Sequence, residues 1–129
     1  MKGENEARAE VRKPPALLER TEDFAVRAVR LFRHLQHQQD RAGWVLGKQF
    51  LRAATSIGAN VEEAQAAESR NDFIHKYSIA QKEARETRYW LRVMIRSDLL
   101  PAPRVQPILD EAGEIYAIIT AILRSSKGR

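Results

Sequence analysis

The sequence predicts an all-α protein, an antiparallel up-down-up-down four-helix bundle. Apolar residues recur at spacings of three and four in four separate stretches. Short polar or proline-bearing connections join those stretches, which favours antiparallel neighbours. No segment alternates apolar and polar residues with the period of two that a half-buried strand requires. Hydrophobic residues make up 43% of the 129, so one domain-sized core can form.

Residues 1–20 mix charge with the Pro14-Pro15 pair and hold no sustained period. They read as a mobile lead-in to a bundle over residues 21–125, with a frayed tail at 126–129. Thr21 is the expected N-cap of the first helix, followed by Glu22 and Asp23 at the positive end of its dipole. Phe24, Ala28, Leu31 and Leu35 then recur on one face.

After a connection at Gln39-Asp40-Arg41-Ala42-Gly43, the second helix is expected from about Leu46 to Ala67. Its stripe is Phe50, Ala53, Ile57, Val61 and Ala64. Small residues crowd this segment, and small side chains let neighbouring backbones approach. Gly58 lies mid-helix, where glycine costs about 0.5–1 kcal/mol relative to alanine. Close helix contact is the simplest compensation. A helix-turn-helix that turns at Gly58 is the structural rival, but the stripe passes through Gly58 in phase.

The third helix is expected to start after Ser69 or Asn71, since Ser69 and Asp72 approximate a capping box. Phe73, Tyr77, Ala80, Ala84, Thr87, Leu91 and Met94 form its coiled-coil-like seam, which reaches about to Ser97 before Pro101 and Pro103 make the turn. The fourth begins near Arg104 or Val105 with Pro107 in its first turn. Ile108, Ala112, Ile115, Ile119 and Ile122 form its stripe, widened by Ile118 and Leu123. That apolar surface is more than one seam needs, so part of it is expected to be buried between subunits.

Cysteine is absent, which excludes disulfides and cysteine-ligated zinc and suits a reducing compartment. The longest apolar run, Ile115 to Leu123, is too short to span a bilayer, and residues 1–13 lack the apolar core of a signal peptide. A cytoplasmic protein with no membrane partner is the expectation. Net charge is +5 with a pI near 9.9, which raises a polyanion such as RNA or DNA as a partner. The excess is dispersed, however: residues 1–20, 21–46, 47–71, 72–100 and 101–129 carry +1, +1, 0, +2 and +1. Any anion-binding surface must come from folding or from repetition in an oligomer.

The block from Ser56 to Ala64 (Ser-Ile-Gly-Ala-Asn-Val-Glu-Glu-Ala), Ser69 to Lys76 (Ser-Arg-Asn-Asp-Phe-Ile-His-Lys) and Ile79 to Leu91 strongly resembles the bacterial four-helix bundle proteins. These are also called ribosomal RNA intervening-sequence proteins, because members are encoded in insertions of the large-subunit ribosomal RNA gene. The match extends from about Asp23 to Leu100 and is specific through its long ungapped centre; the fourth helix agrees in pattern only. The resemblance implies an antiparallel bundle that assembles into a ring-shaped homopentamer. A related group, the accessory proteins of diversity-generating retroelements, forms similar barrels that bind RNA and a reverse transcriptase.

Among the family-motif positions, Asn60 and Glu63 match a characteristic Asn-x-x-Glu. Asn60 sits beside core Val61, where a satisfied amide would fix helix register; contact with RNA is the competing role. Glu83 and Glu86, interleaved with Lys82, Arg85 and Arg88, read first as ion pairs on the helix or across the bundle. A di-iron bundle needs two Glu-x-x-His motifs, and this chain has none, so neither a metal nor a cofactor is expected. No Gly-rich phosphate loop and no local nucleophile motif appear, so an enzyme is not expected. Tyr89-Trp90 adjoins Arg88 and Arg92. Aromatics among arginines can stack on bases, while a tryptophan on a bundle helix more often serves core or interface.

Two basic groups are candidate nucleic-acid contacts: Arg27, Arg30 and Arg41, and Lys82, Arg85, Arg88 and Arg92. The reading is a non-enzymatic oligomeric scaffold that binds structured RNA, with a protein-interaction adaptor as the alternative.

Overall fold

The computed structural model describes residues 16–128; of the lead-in expected over residues 1–20, residues 1–15 lie outside them, while Leu17 to Arg20 belong to the first helix. Four helices follow in order: α1 (Leu17–His37), α2 (Arg41–Ala64), α3 (Arg70–Arg96) and α4 (Ala102–Lys127). Connections of three to five residues, read from these bounds, make each helix antiparallel to the next. The chain is thus the expected four-helix bundle. α2 and α3 share the most extensive seam, while α1 and α4 close the ring of helices through the slightest one.

The apolar stripes form one core. Phe24, Leu35, Phe50, Ile57, Val61, Leu91, Met94, Ile115 and Ile119 are among its fully buried members. α2 runs unbroken through Gly58, which removes the helix-turn-helix rival. A Cβ built on Gly58 would lie 3.2–3.3 Å from Thr21 Oγ1, Cβ and backbone O. α1 and α2 therefore approach closely at this point, and hydrogen at position 58 permits it.

Helix ends depart from the sequence-based expectations in instructive ways. α1 begins at Leu17, so Thr21 is no N-cap; it is buried in the second turn and donates its hydroxyl to Leu18 O at 3.0 Å. The apolar pull of the core on Leu17 and Leu18 extends the helix backwards from the polar cap signal. α2 begins at Arg41 rather than Leu46, because Asp40 is the real cap: its carboxylate accepts from Ala42 N at 2.8 Å and Gly43 N at 3.3 Å. Gly43 and Gly47 weaken the helical signal there, yet both are buried against α1, so packing overrides propensity.

Ser69 caps α3 as expected, accepting from Asp72 N at 3.0 Å. The far end stops by backbone geometry before either proline. Asp98 adopts φ 57°, with Leu99 N donating to Met94 O and Asp98 N to Ile95 O, the Schellman arrangement. Gln39, at φ 54°, performs the matching turn between α1 and α2. α4 begins at Ala102, which leaves Pro107 past the first turn, and it remains helical to Lys127 instead of fraying at Ser126.

The apolar width of α4 is largely absorbed within the bundle. Ile115, Ile119 and Leu123 are buried, and Ile118 and Ile122 half-buried, because α4 must cover α3 on one flank and α1 on the other. The most exposed large apolar side chains among the described residues lie elsewhere: Val26 on α1, Trp44 and Val45 on α2, and Tyr89 on α3, at 44–51% exposure.

Candidate nucleic-acid interface

A nucleic-acid surface needs positive side chains that are not spent on the protein's own carboxylates. Three interhelical ion-pair sites account for several of the acidic groups. Arg20 on α1 clamps Glu111 on α4 through Nε and Nη2 at 2.8 and 2.9 Å and reaches Glu114 at 3.0 Å. Arg52 on α2 bridges to Glu83 on α3 at 3.3 Å and forms a short contact with Glu86. Lys76 on α3 meets Glu63 on α2 at 3.2 Å. These pairs lie on the protein's flanks, where each contributes at most about 1 kcal/mol. Their larger consequence is where they leave charge.

Glu86 also accepts the indole N–H of Trp90 at 3.0 Å. That bond, aided by Arg52, holds the Glu86 carboxyl below the ordinary carboxylate range against the opposing effect of burial. The Arg20 hydrogen bond does the same for Glu111. Glu63, Glu83, Glu86 and Trp90 thus form part of the α2–α3 seam. The ion pairs of Glu83 and Glu86 run across the bundle to Arg52, and among the described residues neither pairs with Lys82, Arg85 or Arg88 of the same helix. Asn60 is half-buried and donates from Nδ2 to Ser56 O, one turn back, at 2.8 Å.

α3 turns a different side outward. Lys82, Arg85, Tyr89, Arg92 and Arg96 follow one another at spacings of three and four, and all are exposed. Among the described residues, none of the four cations enters an ion pair. Tyr89 stands in the middle of the stripe, edge-on to Trp90 with ring centroids 5.0 Å apart. Arg88 does not belong to this outward surface. It is half-buried, its guanidinium lies over the Tyr116 ring at 5.6 Å, and its Nε is enclosed without a partner. Arg96 takes part instead. The sequence-based group of Lys82, Arg85, Arg88 and Arg92 did not extend to Arg96, in the last turn of α3.

The other basic group divides in two. Arg27 and Arg30 line a hollow of about 250 Å³ between α1 and α4, together with Arg104, Leu31 and Ile108. Arg41 lies apart at the α1–α2 turn, beside exposed Trp44 and Val45 in a hollow of about 390 Å³. Lys48 sits 4.2 Å above the Trp44 ring, a cation–π contact. Neither Trp44 nor Arg104 stood out in sequence, since each is defined by what the fold places beside it. No group of three or more His, Asp or Glu side chains able to hold a metal forms among the described residues. No described helix is long and apolar enough to cross a membrane.

The model of the 23S rRNA-intervening sequence protein family matches residues 16–121. The chain belongs to that family. A crystal structure of a protein of unknown function from the S23 ribosomal protein family of Bacteroides thetaiotaomicron is 40% identical. It superposes with a TM-score of 0.80, and the match covers 84% of this chain and 99% of that one. No curated protein matches. Family membership thus extends the sequence resemblance into α4 and agrees with the fold.

Proposed function

We propose that this intervening-sequence protein is a non-enzymatic cytoplasmic scaffold that assembles as a ring of identical subunits, a homopentamer. It holds structured RNA against basic surfaces repeated around the ring. The observation that carries this reading is the separation of charge on α3: Glu83 and Glu86 are paired with Arg52 on the α2 flank, while Lys82, Arg85, Arg92 and Arg96 stand outward around Tyr89. One such stripe on a chain of net charge +5 would hold RNA weakly, because affinity rises with the number of phosphates neutralised together. Repetition in a ring multiplies that number. Assembly would also cover apolar surface, for which Trp44 and Val45, on α2 and outside the α3 stripe, are available side chains.

Binding should fall steeply with salt, show little base specificity and require the oligomer. Light scattering supplies the mass, and fluorescence anisotropy with a labelled hairpin RNA supplies affinity against salt. Arg85→Glu with Arg92→Glu should weaken binding at least tenfold while leaving the oligomer intact. A stable monomer at micromolar concentration would remove the ring. A wild-type oligomer that fails to retain RNA at low salt would make the protein an adaptor for another protein.

A further inference from the structure

The seam between α1 and α4 is the slightest of the four, and its two ends are treated differently. At one end Arg20 is neutralised by Glu111 and Glu114. Towards the other, Arg27 and Arg30 from α1 and Arg104 from α4 converge on one hollow whose floor is Leu31 and Ile108. No carboxylate lines that hollow, and among the described residues none of the three arginines forms an ion pair. Glu111 lies within electrostatic reach of Arg27, but its oxygens are already taken by Arg20. Three like charges over an apolar floor repel one another, and a multivalent anion relieves that repulsion directly.

The first turn of α4 adds to the same field. It contains no acidic residue, and no side chain caps it, so its positive end faces this end of the seam uncompensated. A volume of about 250 Å³ equals that of about eight waters at ~30 Å³ each, enough for a phosphate group with part of its hydration shell. Guanidinium groups match phosphate oxygens in pairs.

We infer that the α1–α4 hollow is a discrete oxyanion pocket in which Arg27, Arg30 and Arg104 grip a phosphate group, separately from the α3 stripe. The phosphate belongs either to an RNA backbone or to a free polyphosphate; the chemistry of recognition is the same. The pocket stands whether or not α3 binds RNA.

The test uses the full chain labelled with 15N, observing arginine Nε–Hε resonances assigned by single Arg→Gln variants. Sodium pyrophosphate is titrated against a chloride control of matched ionic strength. Saturable shifts confined to Arg27, Arg30 and Arg104 are expected, with at least tenfold weaker binding in the Arg27→Gln/Arg30→Gln/Arg104→Gln variant, whose helicity is checked by circular dichroism. Changes no larger than with chloride, or equal in wild type and variant, overturn the pocket. In parallel, hairpin RNA binding is followed against salt. A log–log slope reduced by about 0.9 in the triple variant, the value for one duplex phosphate, identifies RNA as the source. Pyrophosphate binding with an unchanged RNA slope supports the pocket with a free polyphosphate as its ligand. Failure of wild type to bind RNA ends the scaffold reading, while the pyrophosphate titration still decides the pocket.

Discussion

Replacing glycine by alanine inside a helix is ordinarily stabilising by about 0.8–1 kcal/mol, because alanine loses less backbone entropy on folding. Two mid-helix glycines in this bundle should respond to that change with opposite signs. At Gly113 on α4, a Cβ would meet only Arg88 Nε at 3.8 Å, an ordinary contact, so Gly113→Ala should gain the full ~0.8–1 kcal/mol. At Gly58 the same atom would come within 3.2–3.3 Å of three Thr21 atoms, one of them backbone oxygen. Thr21 is 1% exposed and its hydroxyl is bonded to Leu18 O, so rotating the side chain would cost that bond and still leave Thr21 Cβ and O in place.

Relief at Gly58 therefore requires α1 to move outward by a few tenths of an ångström along its whole packed face. Such overpacking costs about 1–3 kcal/mol, which exceeds the propensity gain. Gly58→Ala should lose a net ~1 kcal/mol, or about 4 °C in Tm for a domain of this size, while Gly113→Ala should gain about the same. Thermal melts followed by circular dichroism at one protein concentration measure both. If Gly58→Ala raises Tm as much as Gly113→Ala does, the close α1–α2 approach is not the reason glycine occupies position 58.

Three further outcomes follow from the ion pairs and caps. Glu111 has its folded pKa depressed by Arg20, so the unfolded chain takes up its proton first, near pH 4.3. The pair's stabilisation is therefore complete above that value and is lost as pH falls through the lower folded pKa; Glu111→Gln should flatten the urea-midpoint decline below about pH 5. Trp90→Phe keeps the ring's bulk but removes the N–H that Glu86 accepts, so the Glu86 carboxyl, followed by carbon-13 NMR, should titrate at higher pH; an unmoved titration would rule out the indole as the main cause. Asp40→Ala should cost about 0.5–2 kcal/mol in urea unfolding, since the Asp40 carboxylate caps the start of α2; an unchanged urea midpoint would refute the cap.

The periodic stripes alone determined the helix count, the connection order and most of the core, because burial at spacings of three and four is written directly in residue type. Ser69 was legible for the same reason, as a capping signal is local. The end of α3 near Ser97 was legible in position, though the left-handed turn at Asp98 that makes it was not. The starts of α1 and α2 were not legible either. Leu17 and Leu18 became helical through contact with the core, and Gly43 and Gly47 through contact with α1.

The candidate interface divides in the same way. Sequence identified which residues carry charge, but the spacing of Glu83 and Glu86 did not name their partner, Arg52 on α2. Only the tertiary structure decided which charges are neutralised across a seam, which are enclosed like Arg88, and which remain free. Arg27, Arg30 and Arg104 are a cluster solely because α1 and α4 lie side by side: 74 positions separate Arg30 from Arg104 in the chain, and electrostatic fields depend on distance in space.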